Sequence, residues 1–379
     1  MSAKIKVLHV VGKMHPGGIE TLLMNIYRHT DRDTFEYHFA VQTEEKAFYD
    51  DEILELGGTI FRQPHPQRSL SRFRREFAAN VTRHGPYAAV HSHIFGFSGY
   101  VLKLADRMDI PVRVSHSHNT HDSRQSSVLR KVYRSYMRQL ISNHATTMLG
   151  CSRAACESLF GDHCWSDRRV DVIPNAIMLE PYEQLSEDRS ELRRRLGVHD
   201  CSAPLFAHIG RFSQQKNHAF LLEAFACLAA QRPDAKLFLI GDGPLRQDME
   251  RKAKQLAIDG QVQFLGLRKD VPELLGAMDG FLLPSLYEGL GIVLIEAQAA
   301  GIPCLVSNRI PEEADLGLGM IHRLRLEDSA QRWGEEMNRI VLQKRHPWND
   351  IQQALQKSGY DIKSSVSRLE RIYRGESIL

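Results

Sequence analysis

Two glutamates stand with seven residues between them in the stretch Leu283-Pro-Ser-Leu-Tyr-Glu288-Gly289-Leu290-Gly291-Ile-Val-Leu-Ile-Glu296-Ala297. The residues up to Leu283 read as a strand, the glycines as a break, and the apolar run from about Gly291 as a helix. A helix start presents unpaired amides to an anion such as a phosphate. Glu288 precedes the helix and Glu296 lies about one and a half turns inside it, so the two carboxylates address different groups of one ligand. Ile292, Leu294, Ile295 and Ala297 surround Glu296 in sequence. A carboxylate there is costly unless it accepts hydrogen bonds, from nearby backbone or from ligand hydroxyls such as those of a ribose.

Three other stretches carry chemistry. In Gly210-Arg211-Phe-Ser-Gln-Gln-Lys216, after the strand-like Leu205–Ile209, two cations five residues apart can converge on a diphosphate. Arg suits a forked phosphate contact and Lys a point charge. Ile240-Gly241-Asp242-Gly243-Pro244 is a glycine-rich turn at a strand end, suited to close approach of a flat base or a ribose. Gly17-Gly18 precedes a helix expected from about Ile19, a second anion-binding arrangement and equally an ordinary turn. The pairs His91/His93 and His116/His118, with Asn119, His121 and Asp122 beyond them, follow two further strands. Imidazole is a common metal ligand. No carboxylate cluster at ligand spacing accompanies these histidines apart from Asp122, so a hydrogen-bonding or packing role is the expectation, with His118 the foremost candidate for a ligand contact and Asn119 beside it.

The elements that must position these residues alternate along the chain. Strands are expected at Ile5–Val11, Tyr37–Gln42, Thr59–Phe61, Ala89–His91, Val112–Ser115, Thr147–Gly150 and Val170–Ile173. They are expected again at Leu205–Ile209, Lys236–Ile240, Val262–Leu265, Gly280–Leu283 and Cys304–Val306, with helical patterns between. Apolar strands without strict alternation, separated by helices, imply parallel sheets covered on both faces. In such sheets ligands bind at the carboxyl ends of the strands, where all four stretches fall. The segment 181–200 reads as a connector. The final helix, Asp361–Arg374, places Val366, Leu369 and Tyr373 on one face. Beyond about Ile321 no chemical motif is apparent.

With 379 residues the chain suits two domains of about 180 each. No apolar run reaches the roughly 18 residues of a membrane span, and the amino terminus lacks a signal-peptide pattern. Six scattered cysteines without a CxxC pair point to a reduced compartment and away from a zinc knuckle. A net charge of +3 gives no reason to expect nucleic acid. The charge is uneven, however: Arg62 to Arg138 holds fourteen Lys/Arg against four Asp/Glu. Its basic helical patterns, Arg68–Arg75 and Arg130–Arg138, are either solvated faces or contacts for an anionic membrane or a phosphate-bearing lipid.

In this order the motifs resemble glycosyltransferase family 4, retaining enzymes of the GT-B fold, and look nearest to members acting in exopolysaccharide, capsule and lipopolysaccharide assembly. The pair Glu288 and Glu296 matches the family's E-x7-E signature; Leu290 replaces the Phe that many members carry. The resemblance runs from Gly17 to about Glu313. It implies two Rossmann-like, doubly wound α/β domains facing across a cleft. Residues 1–180 would take the acceptor and 181–360 the nucleotide sugar, with 361–379 packing back on the first domain. It implies that Arg211 and Lys216 hold the donor diphosphate, Glu288 the sugar hydroxyls and Glu296 the ribose. The backbone of Leu265 to Arg268 would meet the base, and His118 the reacting sugar. The turn Gly241, Asp242, Gly243 and the segment Gly289, Leu290, Gly291 would complete the donor site, and the Gly17-Gly18 loop would close over donor or acceptor. The activity implied is a metal-independent hexosyltransferase without cofactor, using a UDP-sugar and a glycan or lipid-linked acceptor. Its expected place is the cytoplasm, at the inner face of the membrane. No DxD-like motif stands where a metal-dependent transferase needs one. Front-face attack, with the departing diphosphate oxygen assisting deprotonation of the acceptor, is the implied route to retention. Other readings are a catalytically silent sugar-nucleotide-binding partner, a GT-B nucleotide-sugar epimerase, a phosphorylase and a metallohydrolase built on the histidines.

Overall fold

The computed structural model describes residues 4–118, 127–186, 189–200 and 202–376. The chain divides into two compact units: Met1–Ala176 with Ile362–Leu379, and Ile177–Asp361.

Unit 1 is built on seven strands: β1 (Ile5–Val11), β2 (Phe35–Val41), β3 (Thr59–Arg62), β4 (Ala89–Ser92), β5 (Val112–Ser117), β6 (Thr147–Gly150) and β7 (Val170–Val172). They form one parallel sheet in the order β3-β2-β1-β4-β5-β6-β7. Nearly all of β1 and β2 is buried, as a sheet covered on both faces requires. Serines start the flanking helices: Ser69, Ser127 and Ser152 each accept from the amide of the third residue of the helix that follows. One side of the core stacks Phe73, Phe77, Val101, Leu102 and Ile141 against Leu8, Val10 and Val90. The C-terminal helix, Ile362–Tyr373, belongs to this unit and buries Val366, Leu369 and Tyr373.

Unit 2 holds β8 (Leu205–Ile209), β9 (Lys236–Ile240), β10 (Val262–Gly266), β11 (Gly280–Leu283), β12 (Cys304–Ser307) and β13 (Ile321–Leu324). The order β10-β9-β8-β11-β12-β13, all parallel, is that of the dinucleotide-binding doubly wound fold. Phe206, Phe225, Leu237 and Trp333 anchor its core. Both units are therefore α/β and doubly wound. The strand β13 and the helices Ala330–Ile340 and Trp348–Lys357 were not anticipated, and strand ends differ from expectation by one or two residues. Among the described residues no helix is long and apolar enough to cross a membrane, and all five described cysteines are free.

Candidate active site

In unit 2 the loops leaving β8 and β11 meet at the point where the strand order reverses, the usual ligand position in such sheets. The loop after β8 turns through Asn217, a left-handed residue at φ 55° that caps the His218–Ala229 helix. This turn aims Lys216 back along the sheet edge, its stem packed over Gly210. Lys216 Nζ donates to Glu288 Oε1 at 2.7 Å, and both side chains are largely buried. Three contacts zip the two loops together. Leu286 N donates to Gln215 O at 2.8 Å, Gln215 Nε2 to Tyr287 O at 3.0 Å, and Asn217 Nδ2 to Pro284 O at 3.2 Å. Sequence reading separated Lys216 and Glu288 into phosphate and sugar roles and missed their pairing, along with Gln215 and Asn217. Arg211, in the same loop, is exposed and has no hydrogen bond or ion pair among the described residues.

The glycine turn after β9 is locked to the β8 loop. A Cβ on Gly241 (φ 136°) would lie 2.1 Å from Gly210 O, and one on Gly243 2.6 Å from Phe212 O. Phe212 N donates to Asp242 O, and Gly241 N to Gly266 O at the end of β10. Asp242 turns its carboxylate onto Gly243 N at 2.8 Å. Three consecutive strand ends thus present backbone as one surface. The Arg268 guanidinium, in contrast, is held by Asp270, which leaves the main chain of that loop rather than the Arg268 side chain to approach a ligand.

The helix after β11 is Ile292–Ala299, with Gly291 as N-cap at φ 80°, a conformation that favours glycine. Gly289 precedes it, and Leu290 is buried. Glu296 is half-buried with its carboxyl turned inward and has no hydrogen-bond or ion-pair partner among the described residues; burial pushes that carboxyl up to about 7. Tyr182, with its phenol raised well above 10 by burial and then by Glu296, lies close by, a neighbour no sequence pattern flagged.

His118, Gly17 and Gly18 belong to unit 1. Gly17 is the N-cap of the Gly18–His29 helix, and a Cβ there would lie 2.6 Å from Glu20 Oε2. The helix start expected to await an anion therefore has its own carboxylate folded over it. His91 and His116 lie inside β4 and β5 rather than after them. Register sets His91 beside His9 of β1, and the two-residue period puts His93 and His118 on the same face as His91 and His116. Five buried imidazoles result. His9 Nδ1 lies 3.2 Å from His93 Nε2, His93 Nδ1 2.9 Å from His118 Nε2, and His118 Nδ1 3.4 Å from Asn175 Oδ1. His91 Nε2 lies 3.1 Å from His116 Nδ1, and His91 Nδ1 2.7 Å from the Tyr373 hydroxyl. Burial holds all five in the neutral form, His9 down to about 3 and His118 to about 4. The triads His9, His91, His93 and His93, His116, His118 each bring ligand atoms within 4.8 Å, a spacing that could also receive a metal ion. Asn119, His121 and Asp122 lie outside the described residues.

A separate pocket of about 480 Å³ in unit 1 opens beside the Val128–His144 helix. Arg130, Arg134 and Arg138 of that helix line it, opposite Phe95, Phe97 and Tyr100.

Comparison with known proteins agrees with this architecture. The model of Glycosyltransferase Family 4 matches residues 16–180, and that of Glycosyl transferases group 1 matches residues 189–316. EpsF of Bacillus subtilis (strain 168), a protein named as a glycosyltransferase, is 36% identical over 98% of this chain and 97% of its own length. The capsular polysaccharide biosynthesis glycosyltransferase CapH of Staphylococcus aureus is 23% identical over 99% of this chain and 100% of its own. The crystal structure of Anabaena HepE in complex with UDP and glucose superposes with a TM-score of 0.77 at 19% identity, covering 98% of this chain and 100% of HepE, and so shares the fold. The chain belongs to the glycosyltransferases of family 4, with the family's N-terminal region followed by a group 1 glycosyl transferase region.

Proposed function

We propose that the chain is a retaining, metal-independent glycosyltransferase that moves a hexose-type sugar from a UDP-sugar to a glycan or lipid-linked acceptor in surface polysaccharide assembly. The observation that carries this reading is the Lys216–Glu288 pair at the β8/β11 reversal, beside the unpaired Arg211 and the Gly291 helix start. The pair is neutral in sum, so Arg211 and the helix start supply the positive potential where a diphosphate leaving group gathers charge, and Lys216 adds a fixed N–H donor beside them. Glu288 Oε2, which accepts a long hydrogen bond of 3.4 Å from Gln215 Nε2, is the oxygen for a sugar hydroxyl, and Glu296 awaits a donor such as a ribose hydroxyl. The interlocked Gly210, Gly241–Gly243 and Gly266 backbone suits close approach of the nucleoside. In unit 1, His118 is the imidazole available to a sugar hydroxyl.

Attack and departure on the same face give retention without an enzymic nucleophile, and the cations and the helix start would stabilise the leaving group. The departing diphosphate oxygen takes the proton of the acceptor hydroxyl as that hydroxyl attacks from the same face. CapH supports a role in polysaccharide synthesis through its name, and HepE, described with UDP and glucose, supports the choice of UDP. For the acceptor, the arginine-lined pocket of unit 1 joins cations to aromatic walls, the composition a lipid-linked phosphate calls for. On the helix that lines it Val128, Leu129, Val132 and Tyr136 are exposed, Leu129 by 82%, which favours contact with an anionic membrane surface. Release of nucleotide from a UDP-sugar in EDTA, abolished by Glu288→Ala, tests the donor reading; activity restored only by added Mg²⁺ or Mn²⁺ would contradict it.

A further inference from the structure

The histidine ladder of unit 1 has a direction, and its buried inner end sets it. At the outer end the Asn175 side-chain oxygen faces His118 Nδ1 at 3.4 Å. An amide oxygen only accepts, so Nδ1 carries the proton. A neutral imidazole has one N–H, so His118 Nε2 is then a bare acceptor and His93 Nδ1, 2.9 Å away, must donate to it. His93 Nε2 is left as an acceptor for His9 Nδ1 at 3.2 Å. The chain ends at His9 Nε2, buried and without a hydrogen-bond partner among the described residues. In this direction that atom is an unused lone pair. In the opposite direction it would be a buried, unpaired N–H, and a bare His118 Nδ1 would face the Asn175 oxygen. An orphaned donor is the rarer and costlier case, so the His9 end selects this polarity, and the Asn175 amide turns its oxygen to match it.

We propose that His93 and His9 are positioning residues that lock His118 in the Nδ1–H tautomer, so that His118 meets a hydroxyl-bearing ligand as a hydrogen-bond donor and cannot act as a base. Nε2, the ring atom able to take a proton, is filled by His93. Among the described residues Nδ1–H meets only the long contact to Asn175, which a ligand oxygen can replace. The link to catalysis rests on the proposed contact between His118 and the transferred sugar; the ladder itself does not.

The test reads the tautomer directly. Full-length protein carrying ¹⁵N-histidine is examined near pH 7 by long-range ¹H–¹⁵N correlation, with His118 assigned by the signals lost in His118→Asn. The expected pattern for His118 is a protonated, pyrrole-type Nδ1 and a bare, pyridine-type Nε2. Asn175→Leu removes the oxygen and leaves the His93 donor, so His118 keeps Nδ1–H; His93→Phe/Asn175→Leu removes both and shifts His118 towards the Nε2–H form. An Nε2–H pattern in the wild type overturns the proposal, as does a His118 that turns to Nε2–H in a folded Asn175→Leu. If the double variant does not fold, the wild-type and Asn175→Leu spectra decide. Turnover is a separate readout. A ladder of the stated polarity with kcat unaffected by His118→Asn would remove the sugar-contact role of His118 and leave the tautomer assignment standing.

Discussion

Lys216 Nζ sits 2.7 Å from Glu288 Oε1 and thereby ties the loop after β8 to the loop after β11. With the lysine gone, a buried carboxylate loses its counter-charge and a diphosphate loses one fixed N–H donor. Lys216→Ala is expected to lower turnover by roughly 10²–10³ and stability by about 3 kcal/mol. The double variant Lys216→Ala/Glu288→Gln removes the stranded charge as well. It should regain much of the melting temperature and none of the turnover. Thermal unfolding beside steady-state rates checks both; near-normal turnover in Lys216→Ala would remove Lys216 from the donor site.

Glu296 gives the donor site a pH signature. The unfolded chain releases this proton near pH 4.5, whereas the folded one keeps it to about 7. Stability therefore falls as pH rises through that window, by about 3 kcal/mol at most. A ligand hydroxyl donating to the carboxylate offsets that loss. UDP-glucose should bind roughly tenfold tighter at pH 8 than at pH 6, and Glu296→Gln should bind without this trend. Calorimetric titration at the two pH values decides; parallel curves for wild type and variant would place the ribose elsewhere.

The histidine ladder acts in the opposite sense. Its rings titrate near 6.5 when unfolded and far lower when folded, His118 at about 4 and His9 at about 3. Their contribution is present above pH 6.5 and is lost as pH falls towards 4, at about 1.4 kcal/mol per pH unit for each ring. Urea midpoints at pH 7, 6 and 5 should drop steeply, and less so in His9→Phe. Midpoints that stay level across this range would mean that the rings are not buried neutral.

Much of the fold is legible because apolar strands alternate with helices and the chemistry-bearing motifs fall at strand ends. The E-x7-E spacing placed Glu288 and Glu296 on opposite sides of a helix start, as found. What escaped depends on strand order. The H-x-H pairs are visible in sequence, but nothing local shows that β1, β4 and β5 lie side by side and bring His9 against His91 and His93. The Lys216–Glu288 pair spans 72 residues and exists only because β8 neighbours β11. Strand β13, Ile321-His-Arg-Leu324, sits at the sheet edge, where half-exposed positions admit polar residues and blur the pattern. The Ala330–Ile340 helix was readable, since Trp333, Met337 and Ile340 recur at helical spacing and are buried.

The basic helix of unit 1 gives a membrane prediction. Each arginine near an anionic surface adds about 1 kcal/mol, so Arg130→Ala/Arg134→Ala should weaken binding to vesicles containing anionic lipid by roughly thirtyfold. Leu129→Ser, which removes an exposed apolar side chain, should weaken it further. Vesicle sedimentation measures both. Equal binding to neutral and anionic vesicles would assign these arginines to the acceptor pocket alone.

Nucleotide release from a panel of UDP-, GDP- and ADP-sugars in EDTA, with wild type beside Glu288→Ala, tests whether unit 2 holds a nucleotide sugar through Arg211, Lys216, Glu288 and Glu296. Slow release of UDP from one donor is expected, EDTA-resistant and lost in the variant. The matching nucleotide at 100 times its dissociation constant should stabilise the wild type by about 2.7 kcal/mol. Absence of both release and stabilisation across the panel would contradict that binding.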